Sequence, residues 1–453
     1  MRAILFALAA LAAPMLAAPA LAQSPAAARA EFSVPVERVV SPGGIEAWLV
    51  SDSTVPMIVL RAYWRGGSAT EAAAQTGLTA MTVDMLTEGA GEYDSGAFKR
   101  RLEALNMSLG FSAGADGLGM TLTTLSENRD AAFEMARLAL ASPRFDAAPL
   151  ERIRRQMLVG IRQRETNASY LAWLAVDQAF YPEHPYARRV SRESAEGVTR
   201  ADLVARAQTL FARDRMQITI VGDIDAATAA RLLDETFASV PATGPLSLPA
   251  EAGLAAAPPL IVRDLPQPQS LILFMGPGIQ DEDPDWIPLA VANYILGGGG
   301  FSSRLMAEVR EKRGLVYGIG TSPQVREHVA MMRGSAQTAN ANVGQAIEVI
   351  REEMARLVRD GATEEEVRDA ITYLTGSFPL DLDSNVKMAN VVHAYQTGGR
   401  DIGYINQRNA LIAAVTRDDV NRVIRRLFAP ENYTFVVVGR PEGLDAPSPD
   451  ATE

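Results

Sequence analysis

Two kinds of stretch alternate along this chain: short apolar runs, which predict strands, and longer segments with apolar residues at helical spacing, which predict amphipathic helices. The series occurs twice. In the first pass a strand at Ile58 to Trp64 precedes a helix at Gly77 to Thr87, the glycines Gly89 and Gly91, a helix at Gly96 to Leu105, two strands and a helix at Glu127 to Leu140. In the second the counterparts are Leu271 to Met275, Ile287 to Leu296, Gly297 to Gly300, Ser302 to Lys312, two strands, and Asn342 to Leu357. Toward the end of each pass the register becomes strict. Val198-Thr199-Arg200-Ala201-Asp202-Leu203 answers to Val415-Thr416-Arg417-Asp418-Asp419-Val420, Leu210-Phe211 to Leu427-Phe428, and Val221-Gly222 to Val438-Gly439, all displaced by 217 residues (202 to 419, 211 to 428, 222 to 439). In both copies Thr, with Asp three positions on, opens a helix as N-cap and first-turn acid, and a β-branched run (Gln217 to Val221; Thr434 to Val438) follows as a strand. A register kept over three separate pieces marks an internal duplication.

Strands adjacent in sequence and joined by turns as short as Asp116-Gly117 pair antiparallel. The sequence therefore predicts an α+β fold of two homologous domains, each a mostly antiparallel sheet with helices packed on one face. The first domain is placed at 30–240 and the second at 260–441. A Pro-, Ala- and Gly-rich linker at 241–259 separates them, and an acidic, Pro-containing tail at 442–453 is expected to be disordered.

At the N-terminus Arg2 precedes an Ala/Leu-rich run that Pro14 and Pro19 interrupt and that ends in Ala20-Leu21-Ala22. That pattern predicts a secretory signal peptide at 1–22, cleaved between Ala22 and Gln23, with the mature chain in the periplasm and without a membrane anchor. The chain has no cysteine, which excludes disulfides, thiol catalysis and cysteine-bound metal. Its net charge of −11 argues against nucleic acid or an anionic membrane surface as a partner.

Several motifs carry less chemistry than their letters suggest. Gly110-Phe111-Ser112-Ala113-Gly114 has the spacing of a nucleophile elbow, yet Ser112 falls in a strand leading into another strand, where an elbow needs strand, turn and helix. Gly297 to Gly300 lacks the Lys-Ser/Thr of a phosphate loop and reads as a flexible turn. His184, His328 and His393 show no ligand spacing to one another, so each reads as a lone histidine and no metal site is expected from them.

Gly77-Leu78-Thr79-Ala80-Met81-Thr82-Val83-Asp84-Met85-Leu86 resembles the first helix of the insulinase/pitrilysin family, the inverted zincins. In active members two histidines four apart bind zinc, and a glutamate between them polarises the zinc-bound water. The resemblance places Ala80 and Asp84 at the ligand positions, Val83 at the base and Gly160 at the later glutamate ligand, so that this chain keeps no metal site. Ser303-Arg304-Leu305, Arg310 and Tyr317 resemble the family's C-terminal motif, in which an arginine and a tyrosine seven apart hold the substrate carbonyl and its oxyanion. The resemblance thus implies half of a clamp: a non-catalytic subunit, inactive alone, that lends Arg310 and Tyr317 to a homologous exported partner. That partner would carry zinc on an intact H-x-x-E-H helix, and the pair would act on peptides. The alternative is a peptide-binding or scaffold protein of the same fold that takes no part in hydrolysis.

Overall fold

Six strands of the first half make one sheet: β1 (Glu37–Val40), β2 (Glu46–Ser51), β3 (Met57–Arg65), β6 (Ser108–Ala113), β7 (Gly117–Leu125) and β8 (Met216–Gly222), in the order β1-β2-β8-β3-β7-β6. The short strands β4 (Gly89–Ala90) and β5 (Tyr93–Asp94) form a separate hairpin. The second half builds a five-stranded sheet from β9 (Leu260–Asp264), β10 (Gln269–Pro277), β11 (Ile319–Arg326), β12 (Val329–Ala339) and β13 (Thr434–Gly439), in the order β11-β12-β10-β13-β9. Both sheets are antiparallel apart from one parallel pair each, β2 with β8 and β9 with β13. This is a computed structural model, and it describes residues 33–444. The signal peptide expected at 1–22 and the tail beyond residue 444 lie outside the described residues.

Strand alternation decides which side chain meets which layer. On β3, Ile58, Leu60, Ala62 and Trp64 point into a core shared with Met81, Val83, Phe133, Leu232 and Phe237, all from helices of the same half. Val59 points the other way. It joins Trp48, Val50 and Val221 against Phe378, Leu382, Ala389 and Val392, which belong to the second half. The second sheet mirrors this, with Ile272 and Phe274 facing its own helices. Leu273 and Met275 instead meet Ala172, Ala175, Val176 and Phe180 of a helix supplied by the first half.

The two crossing helices, Ala168–Phe180 and Asn385–Thr397, occupy equivalent places in the duplication, since both ends are displaced by 217 residues (168 to 385, 180 to 397). Each half thus covers the open face of the other's sheet. Burial on both faces explains why 58–60 and 271–275 read as unbroken apolar runs instead of alternating ones. It also makes the described residues from 34 to 444 one compact unit, although 241–258 holds no helix or strand. The helices expected on one face of each sheet are present, and the exchanged pair adds a layer on the other.

The exchanged helices also carry polar groups into the seam. The Thr219 hydroxyl donates to Gln396 Oε1 at 2.9 Å and accepts from His393 Nδ1 at 3.1 Å. Burial, with repulsion from Arg61 as a smaller contribution, pulls the His393 pKa down to about 4.

Two outcomes follow. Leu273→Ala should cost about 2–5 kcal/mol, as for other buried leucines. Calorimetry should still show a single unfolding transition, because the helix that Leu273 touches belongs to the opposite half. His393 is neutral when folded, whereas the unfolded chain takes up a proton near the ordinary value. Its contribution to stability is therefore whole above about pH 6.5 and is lost as pH falls toward 4, to the extent of roughly 3 kcal/mol. Denaturant titrations at pH 7 and pH 4.5 should show His393→Asn losing less stability on acidification than the wild type.

Candidate functional site

The helix Leu78–Met85 starts where Gly77, at φ +101°, turns the chain. The buried Glu71 carboxylate accepts there from the amides of Gly77 at 2.9 Å and Thr79 at 2.5 Å, meeting the helix's unpaired N-terminal donors. Along that helix Ala80 is half-buried, Val83 is 2% exposed within the core, and Asp84 lies on the exposed face. Desolvation by the neighbouring packed surfaces, then repulsion from Glu88, holds the Asp84 carboxyl above the ordinary range. Glu88 is itself committed, accepting from Ser95 at 2.5 Å and Lys99 at 2.8 Å and pairing with Arg152. On the helix Ala147–Arg164, a Cβ added at Gly160 would meet nothing within 4 Å.

These residues do not fit a catalytic zinc ion. Ala80 and Gly160 offer no donor atom, Val83 is core packing, and one carboxylate cannot make the three protein ligands such an ion takes. Asp84→Ala should accordingly leave the metal content of the purified chain unchanged, as measured by atomic emission; a drop would show that this helix still binds metal.

The second half presents the opposite case. In place of the helix expected from Ser302 to Lys312 there is a short turn at Gly300–Ser302 and then a wider, π-type helix at Met306–Glu311. Its amides reach one residue further back than in an α-helix, as Lys312 N–H does to Ala307 O at 3.0 Å. Gly314, at φ +64°, then reverses the chain, and Tyr317 N–H donates to Gln337 O at 3.3 Å, just ahead of β11. The Arg310 guanidinium ends up between two rings, 4.6 Å from the Phe301 centroid and 5.5 Å from that of Tyr317. Both rings face water, Phe301 being 64% and Tyr317 86% exposed.

Electrostatics separates Arg310 from its neighbours. Glu308 accepts from Lys312 at 2.6 Å, Arg313 at 2.7 Å and Arg356 at 2.9 Å, and those cations hold its pKa down to about 2. Arg304 is paired with Glu366 at 2.6 Å. Among the described residues Arg310 has neither a carboxylate within 4.0 Å nor a side-chain hydrogen bond, so its donors stay available to a ligand. Arg310 and Tyr317, expected from the sequence, are brought together. Phe301 was missed; an apolar residue directly after four glycines was the available signal.

Two further sequence expectations meet different fates. Ser112 lies in edge strand β6 with no helix after it, as expected for a motif without elbow geometry. The histidines depart from expectation. His393 stands alone in the seam, but His184 and His328 come within 5.9 Å ring to ring, because the fold brings the end of the 168–180 helix to the β11–β12 turn.

Residues 197–374, which include Arg310 and Tyr317, match the model of the peptidase M16 inactive domain. The "non-peptidase homolog YmxG" of Helicobacter pylori is 25% identical over 388 residues, 85% of this chain and 89% of that protein. A crystal structure of a peptidase M16 inactive domain from Pseudomonas fluorescens superposes with a TM-score of 0.82 at 27% identity, over 91% of this chain and 99% of that one. The periplasmic protease PqqL of Escherichia coli shares the fold at 14% identity, with a TM-score of 0.77; the match covers 91% of this chain but 46% of PqqL.

Proposed function

We propose that this chain, which is similar to peptidase M16 inactive domains and to a non-peptidase homologue, is the non-catalytic subunit of a two-chain peptidase, lending Arg310 and Tyr317 to a partner's active site. One observation carries this proposal: a cation with no acidic partner among the described residues stands between two exposed rings, in a chain whose metal positions are Ala80, Val83, Asp84 and Gly160. The guanidinium and the Tyr317 hydroxyl can both donate to a peptide carbonyl. Both bonds strengthen as negative charge develops on that oxygen, which lowers the barrier. The Phe301 and Tyr317 rings, within 4.6 and 5.5 Å of the guanidinium, add cation–π attraction that favours this placement of Arg310. The match to slightly less than half of PqqL supports a chain that makes up one half of a clamp. Zinc and the H-x-x-E-H helix would belong to a homologous exported partner, and both chains would work in the periplasm.

The same cation and rings could hold a peptide that is never cut. The non-peptidase description of the H. pylori relative favours that second possibility. Kinetics of the reconstituted pair separate the two. Arg310→Ala should lower kcat by about 10²–10³-fold, the usual loss of one oxyanion donor, and Tyr317→Phe should lower it in the same direction. If both variants leave kcat unchanged while weakening peptide binding, the chain is a binding module; if neither property changes, the assigned roles are wrong.

A further inference from the structure

The hairpin tips β6–β7 and β11–β12 are equivalent in the duplication, and the fold sets them against each other across the seam. Asp116 of the first tip and Glu327 and His328 of the second each offer a ligand atom, and these atoms all lie within 4.8 Å of one another. We propose that Asp116, Glu327 and His328 form a binding site for a divalent transition ion of the zinc type, which clasps the two halves of the chain together.

Four observations support this assignment. His328 is 7% exposed, and its Nδ1 lies 3.3 Å from Glu251 Oε1 in the linker; donation there leaves the Nε2 lone pair free, facing Glu327 Oε1 at 3.8 Å, beyond hydrogen-bond distance. A carboxylate behind an imidazole is the usual support of a metal-bound histidine, fixing its tautomer and raising its basicity. Asp116 is oriented in the same way, accepting from the Tyr186 hydroxyl and, at 3.1 Å, from the Glu327 amide. Asp116 and Glu327 also line a cavity of about 1020 Å³ between the halves, which gives an ion a path and leaves room for water in its remaining positions.

One nitrogen and two carboxylates suit zinc or a similar ion better than calcium, which takes six to eight oxygens. A tetrahedral shell with bonds near 2.0–2.1 Å sets its ligands about 3.3 Å apart, so the three side chains would draw in by about 1 Å or somewhat more. The opposing element is Arg65, paired to Glu327 with Nε at 2.6 Å. The Arg65 side chain is 54% exposed but that of Glu327 only 19%, so an ion entering here has to take the carboxylate from a half-buried pair.

The test uses the purified mature chain, stripped with chelator, and zinc alone as probe. Equilibrium dialysis should show a single equivalent retained and Tm raised. Asp116→Asn and His328→Gln should each weaken binding at least about 10-fold, and Glu251→Gln, whose side chain behind the imidazole is 80% exposed, should weaken it by less. His328 is buried, so if its variant does not fold the two carboxylate variants decide. No retained zinc in the wild type overturns the site, as does equal retention in all the variants. Neither result involves the partner or Arg310, so this site can fail while the proposed function stands.

Discussion

Everything else in this protein depends on the reciprocal packing of two helices. The 168–180 helix lies on the second sheet and the 385–397 helix on the first, each filling a face that would otherwise leave Leu273 and Met275, or Val59 and Val221, open to water. A buried side chain of this kind contributes about 1.5–3 kcal/mol, and several act together at each crossing. Neither half can keep its sheet covered alone, so the duplication yields one body. A group placed on the second half is therefore held in fixed relation to the first.

On that rigid frame the two halves have opposite chemistry. At the first-half helix N-terminus, Glu71 accepts from the Gly77 and Thr79 amides, while the Ala80 and Val83 side chains carry no polar atoms. In the second half, the wide helical turn and the glycine at 314 lead to a guanidinium between two rings, and Glu308 pairs with the neighbouring cations while Arg310 has no acidic partner among the described residues. Donor atoms are absent at the positions where the family resemblance puts a metal, whereas the second half keeps the arginine and tyrosine on which the proposed division of labour between chains rests.

Local signals made much of this legible in the sequence. Thr199 with Asp202, and Thr416 with Asp419, form the reciprocal caps that their spacing implies, because capping depends on neighbours alone. Ala80, Val83 and Asp84 sit on a helix, and Arg310 and Tyr317 come together, because each set is near in sequence. The exchange of helices was hidden, since the choice of sheet for a helix to cover is made by long-range packing. The convergence of Asp116, Glu327 and His328 was hidden for the same reason: two turns distant in the chain meet only through the pseudo-symmetry of the halves. The π-type turn at 306–311 was missed because its apolar spacing is compatible with an ordinary helix.

The central claim is that this chain completes an active site it cannot form by itself. It is tested most directly by titrating this chain into the proposed H-x-x-E-H-bearing partner and following hydrolysis of an unstructured peptide. Activity absent from either chain alone should rise with added subunit and level off at equimolar amounts. A partner equally active without this chain, or hydrolysis by this chain alone, would contradict the account.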